Sequence, residues 1–497
     1  MIEVAKSKIL DEHGQPYARV RVSESLGRSP RGYPAYTRAG FDAASPSHTD
    51  NRRHWLNADE LAPNSAASAE VRRTLRKRAR YEAKNNSYCR GMVSTLANDS
   101  VGRGPRLQLQ RESGADNREI EQAWTGWTRA IRLAAKLRQI RQAKAVDGET
   151  LGIMVDNPRL YPVTLDLRLL ECDYLASPWN YLGDNENHVD GVELDELGEP
   201  IKYWILDHHP GNDYVLGLPS EGSWYPPSRV FHVVYADRAG QVRGIPEITP
   251  ALDLYAILRR YTLATLGAAE TASDVAGILK SAAPPDTSPQ LVDPFLPIEF
   301  ERRALLTMPM GWDMQQLKAE QPTTAYGDFK KEIINEIARC LHMPFNVAAG
   351  NSSNYNYASG RLDHQLYFRA IEIERHNVEI EILDRLFGLW LSEYLMVTRN
   401  VRPRDLVVEE WPRRWVWDGF RHADPAKEAN AVQTLWNLGL LTDDQYLLRE
   451  GIDPEEHYAQ QAEQSARRRE LKLPLPGVAM QLIEVDEDGD PAPTANE

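Results

Sequence analysis

The chain has 497 residues, 42% of them hydrophobic, and a formal charge of −14. This length is about two to four domains' worth, and the hydrophobic content is enough to bury cores, which excludes a chain disordered throughout. The acidic balance disfavours non-specific wrapping of DNA, which relies on Lys and Arg to neutralise phosphates, but it suits DNA that passes without sticking.

Residues 1–54 are rich in Gly, Pro, Ser and Arg and read as an irregular arm, partly ordered by Tyr33, Tyr36, Phe41 and the following Trp55. The first twenty residues hold no apolar run of signal-peptide length. No window offers about 18 uncharged apolar residues, so no transmembrane helix is expected.

From Ser65 the pattern turns helical, with Ser68 as the expected cap. Asn85, Asn86 and Gly91 punctuate it, and Met92, Val93, Leu96 and Ala97 form a second apolar stripe. Gly102 and Gly104-Pro105 end it, and residues 107–109 alternate as a strand. Six of the ten residues 71–80 are Arg or Lys. Such a run is either a solvated helix face or a basic contact for DNA or an acidic neighbouring subunit.

Residues 119–142 read as one amphipathic helix holding Trp124 and Trp127. Residues 150–156 and 165–171 read as strands, 189–193 and 201–206 alternate across a turn at 196–199, and 230–235 is a further strand. The middle of the chain is therefore α+β with an antiparallel, meander-like sheet. After Gly244-Ile245-Pro246 comes a helix capped by Thr249, with Pro250 at its first position. Pro284 and Pro285 end that region, and a proline-spaced stretch runs through Pro289, Pro294, Pro297 and Pro309 to Pro322. A helix over 326–341 follows.

Next comes "GNSSNYNY", in which Gly350, Asn351, Ser352, Ser353, Asn354, Tyr355, Asn356 and Tyr357 are small, polar or tyrosine and offer no aliphatic anchor for a core. It leads into a proline-free helical pattern over 359–397, which would span more than about 50 Å at about 1.5 Å per residue. Its residues Ile371, Ile373, Val378, Ile380, Ile382 and Leu383 are the expected packing positions. Residues 407–417 are strand-like, and 424–471 form a small all-helical unit. The last sixteen residues hold six acids and no base, a disordered acidic tail.

Cys89, Cys172 and Cys340 are far apart. Their spacing does not suggest zinc, and their odd, sparse count argues against a disulfide framework, so a reducing, intracellular place of synthesis is expected. Asp207, His208 and His209 follow a strand and resemble the metal motif of the DHH phosphoesterases. Those enzymes need further aspartates in separate motifs, which residues 163–175 and 188–197 do not supply convincingly; a polar strand end is the simpler reading. The sequence has no G-x-x-x-x-G-K-[ST] loop, no G-x-G-x-x-G opening a helix after a strand, and no G-x-S-x-G elbow. Neither catalysis nor a cofactor is expected.

Taken in order, several stretches resemble the lambda-type portal proteins of tailed bacteriophages. They are "RARYEAKNNSYCRGMVSTLANDSVGRGPRLQ" (78–108), "AVDGETLGIMV" (145–155), "LRLLECDYL" (167–175), "HVDGVELDELGEPIKYWILDHHP" (188–210), "RVFHVVYADRAGQVRGIPEITPAL" (229–252) and "NYNYASGRL" (354–362). The resemblance covers about 41–464; the last string departs from the family's Tyr-Ser-Ser-Ala-Arg-like text at Asn356 and Gly360.

The resemblance implies an α+β portal fold with wing, helical stem, clip and helical crown, assembled as a homo-oligomeric ring of about twelve copies. Mapped by order, the N-terminal arm is 1–54, the wing 55–245 and again 398–421, and the stem helices 246–273 and 324–343. The clip is 274–323, the tunnel loop 344–358, the long wing helix 359–397, the crown 422–471 and the acidic tail 472–497. Double-stranded DNA would pass through the ring without sequence specificity. Partners would be the large terminase, a head–tail adaptor and the major capsid or scaffold protein, with no membrane. The place is the virion's capsid vertex, with the host cytoplasm during assembly.

On this reading Asn351, Ser352, Ser353, Asn354, Tyr355, Asn356 and Tyr357 face the channel. Short amide and hydroxyl side chains give weak, exchangeable contacts and do not grip phosphates in register. Lys330 and Lys331 would either damp or hold the DNA, or pair with Glu332 and Glu336 across subunits. The competing readings are a metal-dependent DHH-like phosphoesterase and another capsid or tail-adaptor structural protein.

Overall fold

The computed structural model describes residues 58–178, 187–212, 221–273, 277–281, 312–316, 323–353, 356–402, 407–408, 411–420 and 425–473. The chain divides into two units, Met1–Leu61 and Ala62–Glu497. The described part of the first, 58–61, is irregular, with the Asp59 carboxylate accepting from the Leu61 amide. The expected arm with Tyr33, Tyr36, Phe41 and Trp55, the prolines 284–322 and the acidic tail from 474 lie outside the described residues.

The second unit begins with a short helix α1 (Pro63–Ala66), then α2 (Ala69–Asn85) and α3 (Ser87–Val101). Ser68 stands at the N-cap of α2, but its side chain makes no capping bond. Asn86 is the effective cap: extended itself, it ends α2, and its side chain accepts from the Tyr88 and Cys89 amides that open α3. Helix α3 buries Cys89, Met92, Val93, Leu96 and Ala97 at helical spacing.

After β1 (Arg106–Leu109) the structure departs from the expected single helix: α4 (Gly114–Ala130) and α5 (Leu133–Asp147) are separate. The break falls at Arg132, which has φ 56 and ψ 43 without being a glycine. Ile131 and Leu133 on either side are both buried, and their packing offsets a left-handed residue's cost of about 1–2 kcal/mol.

Strands β2 (Glu149–Asp156), β3 (Leu165–Leu170), β4 (His188–Val189), β5 (Val192–Leu194), β6 (Pro200–Leu206), β7 (Gly222–Tyr225) and β8 (Val230–Val234) make two antiparallel sheets, ordered β3-β2-β8 and β4-β5-β6-β7. The second is the expected meander, and the turn between β5 and β6 closes with the Asp195 amide donating to the Glu199 carbonyl at 2.9 Å. Central β2 is buried along almost its whole length, whereas its partner β3 alternates.

Then come α6 (Leu252–Ser273), an antiparallel pair β9 (Gly277–Ser281) and β10 (Trp312–Gln316), and α7 (Thr323–Arg339). Thr249 does not cap α6. It opens a 3-10 turn, and its hydroxyl donates back to the Pro246 carbonyl at 2.6 Å. A short α8 (Phe345–Ala349) precedes the long rod, which is α9 (Tyr357–Val378), one π-helical turn over Glu379–Leu383, and α10 (Asp384–Arg399). The rod is continuous, as the sequence implied, but the π turn inserts an extra residue and shifts its buried face. Ile371, Ile382 and Leu383 are buried, whereas Ile373 and Ile380 are each 58% exposed.

Only 413–416 of the strand-like stretch 407–417 is a strand, β11 (Arg413–Val416), which pairs antiparallel with β1. The chain ends in α11 (Pro425–Asn437), α12 (Asp443–Arg449) and α13 (Pro454–Glu470), the expected helical unit.

Trp124 centres one core. Its ring lies 5.0 Å from Trp127, 5.2 Å from Trp390, 5.6 Å from Phe387 and 5.7 Å from Trp415, so α4, the rod and β11 share one aromatic interior. A second core joins α3, α6, α7 and α8 through Met92, Tyr255, Ile334, Ile337 and Ala348. The third lies between the two sheets.

Candidate functional site

The polar tip between α8 and α9 is exposed but firmly rooted. Helix α8 packs Phe345, Val347, Ala348 and Ala349 on the second core. Gly350 ends it in the left-handed conformation, φ 61, a position that favours glycine. The Asn351 amide donates to the Asn346 carbonyl at 3.0 Å, and the Asn351 side chain accepts from the Ser353 amide at 2.9 Å. On the far side, the Gly360 amide donates to the Asn356 carbonyl at 2.8 Å, and Asn346 and His364 meet at 2.9 Å across the base. Tyr367 donates to Asp99 at 2.9 Å and ties α9 to α3. Asn351, Ser352, Ser353 and Asn356 are exposed. Asn354 and Tyr355 lie outside the described residues, and Tyr357 is the first residue of α9. A well-held base with an exposed, uncharged tip can meet a passing surface without unfolding its support.

Helix α7 turns Ile333, Ile334, Ile337 and Ala338 inward and leaves Lys331, Glu332 and Glu336 exposed. Within the chain the two lysines meet aromatic rings. The Lys330 ammonium lies 5.2 Å from the Tyr88 ring and 5.5 Å from that of Tyr326, and Lys331 lies 5.6 Å from the Phe345 ring. Burial works against the Lys330 charge, yet Tyr88 and Tyr326 raise its pKa above the ordinary lysine value. Lys330 is half-buried and lies between α7 and α3.

The basic run 71–80 takes neither expected role in full. Arg73, Lys77 and Arg78 are exposed, but Arg72 and Arg76 are buried and Arg80 is half-buried. These three recur every four residues, so they share one face of α2, and that face meets acids. Arg72 pairs with Asp190 and Arg76 with Glu149, and Arg80 pairs with Asp147 at 2.6 Å and Asp173 at 2.5 Å.

Glu149 is fully buried at the start of β2 and accepts from five residue groups on four segments. Arg243 donates at 2.7 Å, His232 at 2.9 Å and the Gly244 amide at 3.0 Å, together with Arg76. Burial alone would raise its pKa, but Arg243, His232 and Arg76 hold the carboxyl well below the usual range. Burial lowers the His232 pKa, so the ring is neutral and donates from Nε2. The backbones approach closely beside this group: a Cβ at Gly148 would meet the Ile245 carbonyl carbon at 2.2 Å, and one at Gly244 the Gly148 oxygen at 2.1 Å. The network fixes the chain where it leaves the sheets for α6. Sequence reasoning missed it, although the four-residue spacing of Arg72, Arg76 and Arg80 was a usable signal.

Asp207 and His208 are exposed and do not converge with His209 on a metal centre. His209 instead sits with Glu171 at 3.1 Å and Asp173 at 4.0 Å, a trio whose ligand atoms are close enough for one cation. The Arg80 guanidinium already fills that position, 2.5 Å from Asp173 and 3.5 Å from Glu171. His209 Nδ1 accepts from the Gly211 amide at 3.0 Å, which leaves the proton on Nε2 facing Glu171. The trio is thus neutralised by protein groups, and the DHH resemblance has no site.

A model of the phage portal protein, lambda family, matches residues 50–375, about two thirds of the chain. The chain belongs to the lambda family of phage portal proteins. The match begins before α1 and ends in α9, so it takes in both sheets, the Glu149 network, α6, α7 and the polar tip. Over nearly the whole chain, relatives carry the same description. A probable portal protein of Halomonas phage phiHAP-1 is 26% identical, with 93% of this chain and 94% of that one aligned. The portal protein of Escherichia phage N15 is 22% identical over 90% of this chain and 93% of its own. Portal protein B of Escherichia phage lambda is 21% identical over the same shares.

Among solved structures, the neck of a native gene transfer agent particle computed with C12 symmetry aligns with a TM-score of 0.43 at 13% identity, covering 75% of this chain and 91% of that one. The neck of the empty particle, computed with C6 symmetry, aligns at 0.46 and 14% identity over 76% and 92%. The portal family is one of structural virion proteins rather than enzymes. Among the described residues no helix is long and apolar enough to cross a membrane.

Proposed function

We propose that the protein is one subunit of a ring of about twelve copies at a single capsid vertex. Double-stranded DNA is packaged and ejected through the ring's centre. Family membership places the chain among portals. The observation that carries the channel reading is the tip at 351–353 and 356: exposed, uncharged, and rooted on both sides by α8 and α9. Contacts of this kind are worth about 1 kcal/mol net and exchange readily with water, so DNA slides past them. Leu362, Leu366, Ile373 and Ile380 recur along one side of the rod and are each more than half exposed, an apolar stripe suited to a neighbouring subunit.

In this reading 55–245 and 398–421 form the wing, 246–273 and 324–343 the stem, and 274–323 the clip, where the large terminase and head–tail adaptor dock. The tunnel loop is 344–358, 359–397 crosses the wing, and 422–471 is the crown, toward the capsid interior and its major capsid or scaffold protein. Lys330 and Lys331 are held on α7 by aromatic rings, and Glu332 and Glu336 are free to face either the channel or the adjoining copy.

Electron microscopy of the purified chain tests the assembly, and in-phage substitution tests the tip. The expected outcome is rings with a central hole. Replacing Asn351, Ser352, Ser353 and Asn354 by Gly and Ser should leave the rings intact and impair late packaging or DNA retention. A monomer at every concentration and salt, or full infectivity after deletion of the tip, would refute the reading.

A further inference from the structure

Helix α11 and the turn after it form the most exposed apolar surface on the chain's last helical unit. Leu435 is 38% exposed, Trp436 55%, Leu438 66% and Leu440 70%. With Ala429 and Val432 they make one side of α11 continue into the turn. The unit has almost no interior of its own: Leu447 is its one buried large hydrophobic among the described residues. What holds it is polar and local. Arg449 pairs with Glu428 at 2.5 Å, Tyr458 donates to Asp444 at 2.9 Å, and a capping box of Thr442 and Gln445 opens α12. Three short helices with so little buried apolar surface do not fix their own arrangement, so the missing core comes from outside.

The unit also carries a surface that fits this one. Helix α13 exposes Ala459, Ala462 and Ala466 on one side, small residues against which bulky side chains seat closely. That helix ends in Arg467, Arg468 and Arg469, whereas α12 begins with Asp443 and Asp444 immediately after the apolar turn. The large apolar residues lie next to acids, and the alanine side lies next to bases.

We propose that the turn at 435–440 of one copy seats on the alanine side of α13 of a second copy, with Asp443 and Asp444 beside that copy's arginine end. Two different surfaces meet, so the contact is heterologous and repeats around a ring. The inference deepens the ring reading and rests on it, because it assigns which surfaces of this unit close the ring.

The test is a cysteine pair in the full chain. Oxidising the double variant Leu438→Cys with Ala462→Cys should give a ladder of covalently linked copies on a non-reducing gel, and either single variant should give no ladder. Rings seen by microscopy without a ladder would overturn the contact and leave the ring reading standing. A ladder in open fibres without rings would keep the contact and refute the ring. A ladder from Leu438→Cys alone would mean turn meets turn, which overturns the proposal. As a second measurement, hydrogen exchange in α11–α13 should be about tenfold faster in assembled Trp436→Ser, Leu438→Ser, Leu440→Ser than in the assembled natural chain. Equal exchange, or protection that appears only when capsid protein is added, would also overturn it.

Discussion

The interior around Trp124 and Glu149 and the surface of α11–α13 use similar residues to opposite ends. Trp390 is 1% exposed and stacks on Tyr394 with ring centres 4.9 Å apart, whereas Trp436 is 55% exposed. Glu149 is surrounded by donors from α2, β8 and the chain entering α6, whereas the acids of α12 stand at the surface. One region completes its interior within a single chain; the other leaves its apolar side open. The difference separates what one copy must build alone from what assembly must finish.

The largest effect should come from opening the completed region. Glu149→Ala would leave Arg76 and Arg243 buried without their shared carboxylate, costing about 3–5 kcal/mol in denaturant unfolding of the unassembled chain. The same site makes a pH prediction. The folded Glu149 pKa is depressed, so its contribution is present above the unfolded carboxylate range and is lost as pH falls below about 4. His232 is also depressed, so below about pH 6.5 the unfolded chain takes up a proton that the folded chain does not, and stability falls further. The acid-side loss should shrink in Glu149→Ala. An unchanged pH profile would show that the network does not carry the stability assigned to it.

Much of the completed region was legible in the sequence. The strands, the β5–β6 hairpin, the Asn86 punctuation and the long rod all follow from period and turn chemistry. What was hidden came from contacts distant in sequence. Arg132 breaks α4 from α5 because Ile131 and Leu133 both turn inward, and no glycine or proline marks the place. Arg72 and Arg76 read as surface residues because their acids, Asp190 and Glu149, lie 118 and 73 positions away. The polar tip was visible as composition, but its rooting through Asn346 and His364 was not. The openness of α11 was hidden for another reason: an apolar helix side predicts burial without saying in which molecule.

A smaller effect should appear at Glu121, where the completed region approaches α13. Burial pushes its carboxyl up to about 7, against the bond it accepts from the Leu109 amide, and Asp453 adds to the rise. A raised acid favours the protonated form, so stability is present below the unfolded pKa and is lost as pH rises from about 4.5 toward 7. Glu121→Gln keeps an acceptor and removes the titration. It should flatten the profile across that window and gain about 1 kcal/mol at pH 8, discounted for the side chain's partial exposure. Equal profiles for the two proteins would place the carboxyl in solvent.

The smallest effect should be the most diagnostic. Trp436→Ser removes a tryptophan, the side chain whose loss from a core costs about 3–5 kcal/mol. At this exposed position in the unassembled chain, the change should stay within about 0.5 kcal/mol, because few contacts are there to lose. Comparing Trp390→Ala with Trp436→Ser in denaturant therefore measures the contrast between the two regions directly. If Trp436→Ser cost as much as Trp390→Ala, α11 would already be packed within one chain and would have no open side to offer. A near-neutral result in the unassembled chain, with a loss that emerges only on assembly, places that side chain's packing between copies: residue type sets how much apolar surface is available, and the fold sets whether its own chain or the next one covers it.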